Sequence, residues 1–128
     1  MHGFLSYLVK LTSLKKKYTI IGYKGKQVRD NLHSSDLVNC FWEFYKKPRK
    51  GEVYNIGGGR FSSCSIIEAL NEVKTQLKIK IKKVFLSKNR VGDHVWYISN
   101  NNKFKKHYPN WKQKYNTKKI IEELIEYQ

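Results

Sequence analysis

The residues with the strongest claim to chemistry are two arginine and aspartate couples, Arg29 with Asp30 and Arg90 with Asp93. A guanidinium is a permanent planar cation whose paired N–H donors match a phosphate or carboxylate, so an arginine on a loop at a strand end makes a good anion clamp. Two separated arginines converging on one pocket could grip both halves of a diphosphate. Each couple also has a plainer reading, as a solvated or mutually paired surface pair, and both readings stay open at this stage. Asp93 reads as a group that orients its neighbours. Gly22 and Gly25 bracket a tight turn ahead of Arg29, and Gly92 allows a sharp turn between Arg90 and Asp93, since glycine accepts the positive φ that such turns ask for.

Other combinations carry less. Gly57, Gly58 and Gly59 follow an apolar stretch and precede a helical one, the setting of a phosphate loop, but the GxGxxG spacing is absent and a plain turn accounts for them. Tyr115 and Lys119 form one YxxxK pair at the start of the last helical stretch, read as a chance match. Cys40 and Cys64 lack a CxxC or metal-like spacing and read as reduced thiols. His2, His33, His94 and His107 fall in no metal-binding pattern and read as structural or exposed.

The elements that position these residues can be read from periodicity. An amphipathic helix is expected over His2 to Lys16, with Phe4, Tyr7, Leu8, Leu11 and Leu14 on its apolar face. A strand follows at Tyr18 to Ile21, then the extended stretch with Arg29, then a helix from about Asp36 to Tyr45, opened by Ser34, Ser35 and Asp36. Leu37, Val38, Phe41, Trp42, Phe44 and Tyr45 surround most of that helix, so burial on more than one side is expected. Val53 to Ile56 reads as a short strand. Ser65 and Glu68 have capping-box spacing ahead of a helix whose core face is Ile66, Leu70, Val73 and Leu77. Ile79 and Ile81 alternate with lysines in an edge strand expected over Lys78 to Leu86. Trp96 and Tyr97 could stack on bases, with a core role favoured. A helical turn at Phe104 to Tyr108, a buried corner at Pro109 and Trp111, and a final helix over Thr117 to Tyr127 complete the chain.

A balance of 26 basic against 10 acidic residues gives a formal net charge of +16, which raises nucleic acid or an anionic surface as a partner. The charge is scattered lysine in every segment, with Arg29, Arg49, Arg60 and Arg90 the only arginines. Specific nucleic-acid recognition is therefore not expected, though weak, salt-sensitive adhesion to polyanions is. The apolar N-terminal stretch is interrupted by lysines well short of a membrane span and has no signal-peptide cleavage pattern, so the expectation is no membrane association and a cytoplasmic location.

The segment GKQVRDNLHSSDL resembles the RDxxHxxDL stretch of the extended short-chain dehydrogenase/reductase family, the NAD-dependent nucleotide-sugar epimerases and dehydratases, and most closely its CDP-paratose 2-epimerase branch. GEVYNIGGGRFSSCS, NRVGDHVWYIS and HYPNWKQKY extend the resemblance in the same order over nearly all of the chain. It implies an α/β fold in which residues 1–128 form the C-terminal, substrate-binding portion of a Rossmann-type epimerase, with short strands and four to five helices. It implies that Arg29 and Arg90 contact the diphosphate and ribose of a nucleotide-diphosphate sugar.

In an intact enzyme of this kind NAD takes a hydride from carbon 2 of the sugar and returns it to the opposite face, and a homodimer is allowed. The glycine fingerprint and the catalytic Tyr and Lys would lie before Met1. The chain alone is therefore expected to bind no NAD and to be inactive, and a separate N-terminal half is allowed as its partner. A non-catalytic nucleotide-sugar binder, a gene remnant that does not fold stably, and a basic polyanion-binding protein are the alternatives.

Overall fold

The computed structural model describes residues 3–128. Among them are five α-helices and five short strands: α1 Phe4–Ser13, β1 Tyr18–Ile21, β2 Val28–Asp30, α2 Ser34–Lys46, β3 Ser63–Ser65, α3 Ile66–Leu77, β4 Lys83–Leu86, β5 Trp96–Tyr97, α4 Asn102–His107 and α5 Thr117–Glu126. The architecture is mixed α/β, as expected. β1 and β4 pair in parallel, Tyr18 opposite Lys83 and Ile21 opposite Leu86. A second sheet has the order β3-β2-β5, antiparallel between β2 and β3 and parallel between β2 and β5.

Two apolar clusters hold these pieces. The larger joins α1, β1, α3 and α5 through Leu8, Val9, Ile20, Val73 and Ile121, each fully buried. The smaller is mostly aromatic, with Phe104, Tyr108 and Trp111 packed on Cys40 of α2. Phe104 meets Trp111 edge to face at 5.3 Å between ring centres, a favoured arrangement of two quadrupoles. Burial pushes both thiols up, to about 11 for Cys40 and for Cys64, because a thiolate would lose its hydration there.

Local signals set the ends of α3. Ser65 accepts from the Glu68 amide at 3.2 Å, while the Glu68 carboxylate accepts from the Ser65 amide at 2.7 Å. This is the expected capping box, in which two otherwise orphaned donors are satisfied reciprocally. Those bonds hold the Glu68 pKa below its ordinary value. A lowered carboxyl pKa contributes stability above the unfolded-state value and loses it as pH falls through the folded-state value.

Several expectations are corrected. The first helix runs Phe4–Ser13, and His2 lies outside the described residues. It buries Leu5, Leu8, Val9 and Thr12, leaving Tyr7 and Leu14 more than half exposed, because the face that meets α3 and α5 is rotated from the stripe read in the sequence. α2 is not buried on several sides: Cys40 and Asp36 are inside, while Val38, Phe41, Trp42 and Tyr45 are exposed. Those four share one face at helical spacing, and the small aromatic cluster covers only the other.

Val53 to Ile56 forms no strand. No ladder partner reaches it; Lys103 donates to the Val53 carbonyl, and Tyr54 and Ile56 pack sideways on the aromatic cluster. The later strand is limited to Lys83–Leu86, since β1 offers a partner only from Lys83 onward, although Ile79 and Ile81 are half-buried among exposed lysines. Trp96 and Tyr97 lie outside the core, 64% and 56% exposed, on the outer strand of their sheet.

The fully buried Asp36 joins the two halves of the packing. Its carboxylate accepts from the backbone amides of Lys114, at 3.0 Å to Oδ1, and Tyr115, at 3.0 Å to Oδ2, and its carbonyl accepts from the Trp111 indole. Removing the carboxylate strands two donors, each worth about 1–3 kcal/mol when buried without a partner. Asp36→Ala should therefore lower unfolding free energy by about 3 kcal/mol in urea denaturation, against about 1 kcal/mol for the cap variant Ser65→Ala.

Candidate functional site

Arg29 stands in the middle strand of the three-stranded sheet, opposite Cys64 on one side and Tyr97 on the other. Its guanidinium is held on three sides: Nη2 lies 2.5 Å from Asp93 Oδ1 and also donates to the His94 carbonyl, and Nη1 donates to the Val28 carbonyl at 2.7 Å. The ion pair is partly screened from solvent, with side-chain exposures of 26% and 21%. Asp93 is thus the group that orients Arg29.

The loop carrying Arg90 and Asp93 reaches Arg29 because the turn after β1 holds it. The Tyr23 amide donates to Asn89 Oδ1 at 3.1 Å, and the Tyr23 hydroxyl donates to the Asp93 carbonyl at 3.2 Å. Gly22 makes this contact close: its φ is 68°, and a Cβ there would lie 2.3 Å from Asn89 Oδ1. A side chain at position 22 would meet both a strained backbone and a blocked approach.

These elements enclose an open cavity of about 330 Å³ whose wall includes Arg29, Arg90, Asp93, Gln27, Tyr18 and Tyr7. The structure therefore brings the two sequence-predicted arginines together. Its lining is both charged and aromatic, Arg29, Arg90 and Asp93 together with Tyr7 and Tyr18, whose rings lie 6.1 Å apart. Burial raises the Tyr18 hydroxyl pKa, while the Arg90 charge pulls it back down. Such a cavity can hold an anion beside a flat or apolar group. Gln27 lines it, and Tyr23 and Asn89 hold the loop beside it, but none of the three carried a chemical signal of its own in the sequence.

Asp30, the neighbour of Arg29, does unrelated work, as expected for adjacent residues pointing to opposite faces of a strand. Its Oδ2 accepts from the amides of Gly59 at 2.9 Å and Ser99 at 3.0 Å. Asn101 completes the arrangement by accepting from the Gly57 amide at 3.1 Å and donating to the Gly57 carbonyl at 2.8 Å. The amides of Gly57 and Gly59 are thus turned inward, and this loop does not fit a dinucleotide pyrophosphate. Gly58 is needed for closeness alone, since a Cβ would lie 2.3 Å from the Asn31 carbonyl.

Tyr115 stacks on His33 at 3.9 Å, and His33 in turn meets Glu123 at 2.8 Å and caps α2. Lys119 is exposed, its backbone amide donating to Asn116. Among the described residues no group of three or more His, Cys, Asp or Glu side chains is placed to hold a metal ion, and no helix is long and apolar enough to cross a membrane.

Known proteins share both sequence and fold with this chain. The profile of the NAD dependent epimerase/dehydratase family matches residues 1–57. CDP-paratose 2-epimerase of Salmonella typhi is 32% identical over 71 residues, which is 54% of this chain and 21% of that protein. The dTDP-glucose 4,6-dehydratase of Bacillus anthracis, solved in complex with NAD, superposes with a TM-score of 0.81 at 27% identity, over 98% of this chain and 38% of its own.

This chain resembles the NAD-dependent nucleotide-sugar epimerases and dehydratases of the extended short-chain dehydrogenase/reductase type. The UDP-glucose 4-epimerase of Thermotoga maritima, solved with UDP-glucose, shares the fold with a TM-score of 0.84 at 22% identity, again over 98% of this chain and 38% of its own. This epimerase-like chain spans under two-fifths of the length of those solved structures and about one-fifth of the curated relative.

Asp30 should prove the anchor of the region opposite the cavity. In Asp30→Ala the Gly59 and Ser99 amides lose their acceptor, so their hydrogen-exchange protection should fall at least about tenfold relative to amides within α3. Unchanged protection at both would remove Asp30 from that role.

Proposed function

We propose that residues 1–128 supply the nucleotide-diphosphate-sugar-binding part, corresponding to the C-terminal portion, of an NAD-dependent epimerase that interconverts CDP-paratose and CDP-tyvelose. The observation that carries this reading is the convergence of Arg29 and Arg90, distant in sequence, on one cavity. A diphosphate needs fixed cations with directed donors, and a guanidinium supplies both. Arg29 is already oriented by Asp93 and the His94 carbonyl, so little freedom is lost when a phosphate binds. Arg90, itself exposed, adds the second charge.

The sugar nucleotide follows from the relatives: CDP-paratose 2-epimerase is the curated sequence match, and the two structural relatives bind NAD or UDP-glucose. NAD, when bound in such an enzyme, supplies the hydride acceptor and donor. The residues present do not fit its pyrophosphate at the glycine run, and no hydride or proton step is assigned to this chain. Its residues bind and orient substrate while the dinucleotide-binding half, in the same polypeptide or a separate one, carries out the redox chemistry. The chain by itself, given NAD, is inactive toward CDP-paratose.

Isothermal titration calorimetry with CDP tests the binding role. Arg29→Ala and Arg90→Ala should each weaken binding at least about tenfold, the loss expected when a charge-assisted hydrogen bond worth about 1.5–3 kcal/mol is removed. Arg29→Lys should recover only part of it, since the ammonium keeps the charge but not the fork. Binding indifferent to both arginines and falling steeply with salt would instead indicate a general polyanion binder.

A further inference from the structure

Gln27 has a position that the diphosphate reading leaves unused. It sits between the glycine turn and β2, in the wall of the cavity that holds Arg29 and Arg90, and is only 5% exposed. Its Nε2 donates to the Ile21 carbonyl at 2.9 Å, which fixes the amide plane against the end of β1. Its Oε1 is buried with no hydrogen-bond partner, one of three such side-chain atoms among the described residues. A buried amide oxygen left without a donor is costly, and the cost is relieved when a donor arrives.

We infer that Gln27 Oε1 is a specificity contact that accepts a hydrogen bond from a neutral donor on the nucleoside of the bound ligand. This rests on the nucleotide-sugar reading of the same cavity. The chemistry separates the parts of such a ligand. The diphosphate of a nucleotide sugar is esterified at both ends, so its oxygens carry no hydrogen to give at neutral pH and go to the guanidinium groups. The amide oxygen can take only an N–H or O–H, which the nucleoside presents as ribose hydroxyls and base nitrogens. With phosphate at the arginines, the nucleoside would lie against the remaining wall, to which Gln27, Tyr18 and Tyr7 also contribute. A site built around an acceptor discriminates strongly against ligands that lack the matching donor, because the buried oxygen is then left unpaired.

The test compares CDP with inorganic pyrophosphate, both titrated into wild-type chain and Gln27→Leu, with folding of the variant verified by its urea unfolding curve. The expected result is that Gln27→Leu weakens CDP about tenfold and leaves pyrophosphate within about twofold. Equal effects on both ligands, or none on CDP, would overturn the assignment of Gln27 while leaving the arginine reading intact.

If Gln27→Leu unfolds, the wild-type chain alone decides. Affinities for CDP, 2′-deoxy-CDP, 3′-deoxy-CDP and UDP should differ by about tenfold in at least one comparison, and that comparison names the donor as a ribose hydroxyl or a base nitrogen. Equal affinity for all four would overturn the inference. Failure of the wild-type chain to bind either CDP or pyrophosphate would instead defeat the nucleotide-sugar reading itself.

Discussion

The fork of Arg29 between the Asp93 carboxylate and the His94 carbonyl is the contact on which the rest of the site depends. It ties the loop after β4 to the central strand of the second sheet, and in doing so completes the cavity wall in which Arg90 stands. Without that pair the loop would keep the bonds of Tyr23 to Asn89 and to the Asp93 carbonyl and the Val28 amide bond to the Val95 carbonyl, none of which holds the guanidinium. A partly screened ion pair is worth little as a stabiliser on its own. Its value here is positional, since it aims one cation and places a second.

Two further carboxylates, Asp30 half-buried and Asp36 fully buried, do the comparable work elsewhere. Asp30 gathers the glycine run and Ser99 onto β2, and Asp36 gathers the connection before α5 onto α2. In each case one carboxylate replaces a stretch of ladder by accepting from two backbone amides, so short strands and irregular connections are held without a large sheet. The apolar clusters supply the cohesion, and the three aspartates determine which loops lie where. The exposed apolar face of α2, with Val38, Phe41, Trp42 and Tyr45, belongs to neither cluster.

Much of this was legible in the sequence where the cause is local. The capping box of Ser65 and Glu68, the glycine turn after β1 and the final helix depend on residues within a few positions of one another. The arginine convergence was legible through the pairing of cation and turn, and through the family wording around it. The failures involve partners distant in sequence. Apolar residues around α2 say that it wants to be covered, but not by what, and Val53 to Ile56 has strand composition without a neighbouring edge. Asp36 reads as an acid at a helix start, the place that the dipole favours; its two amide donors lie at the far end of the chain. Gln27 has no periodicity to reveal it, and only three-dimensional placement shows an amide with one end tied and the other free.

The central claim is that two arginines out of four act together on one anion. The chain contains only Arg29, Arg49, Arg60 and Arg90, so a spectrum of 15N-arginine side chains has one assigned Nε–H signal for each. Titration with CDP at moderate salt should shift the signals of Arg29 and Arg90 together, with a shared saturation curve, and leave those of Arg49 and Arg60 in place. Four signals moving alike, or Arg29 and Arg90 responding with different affinities, would contradict the account.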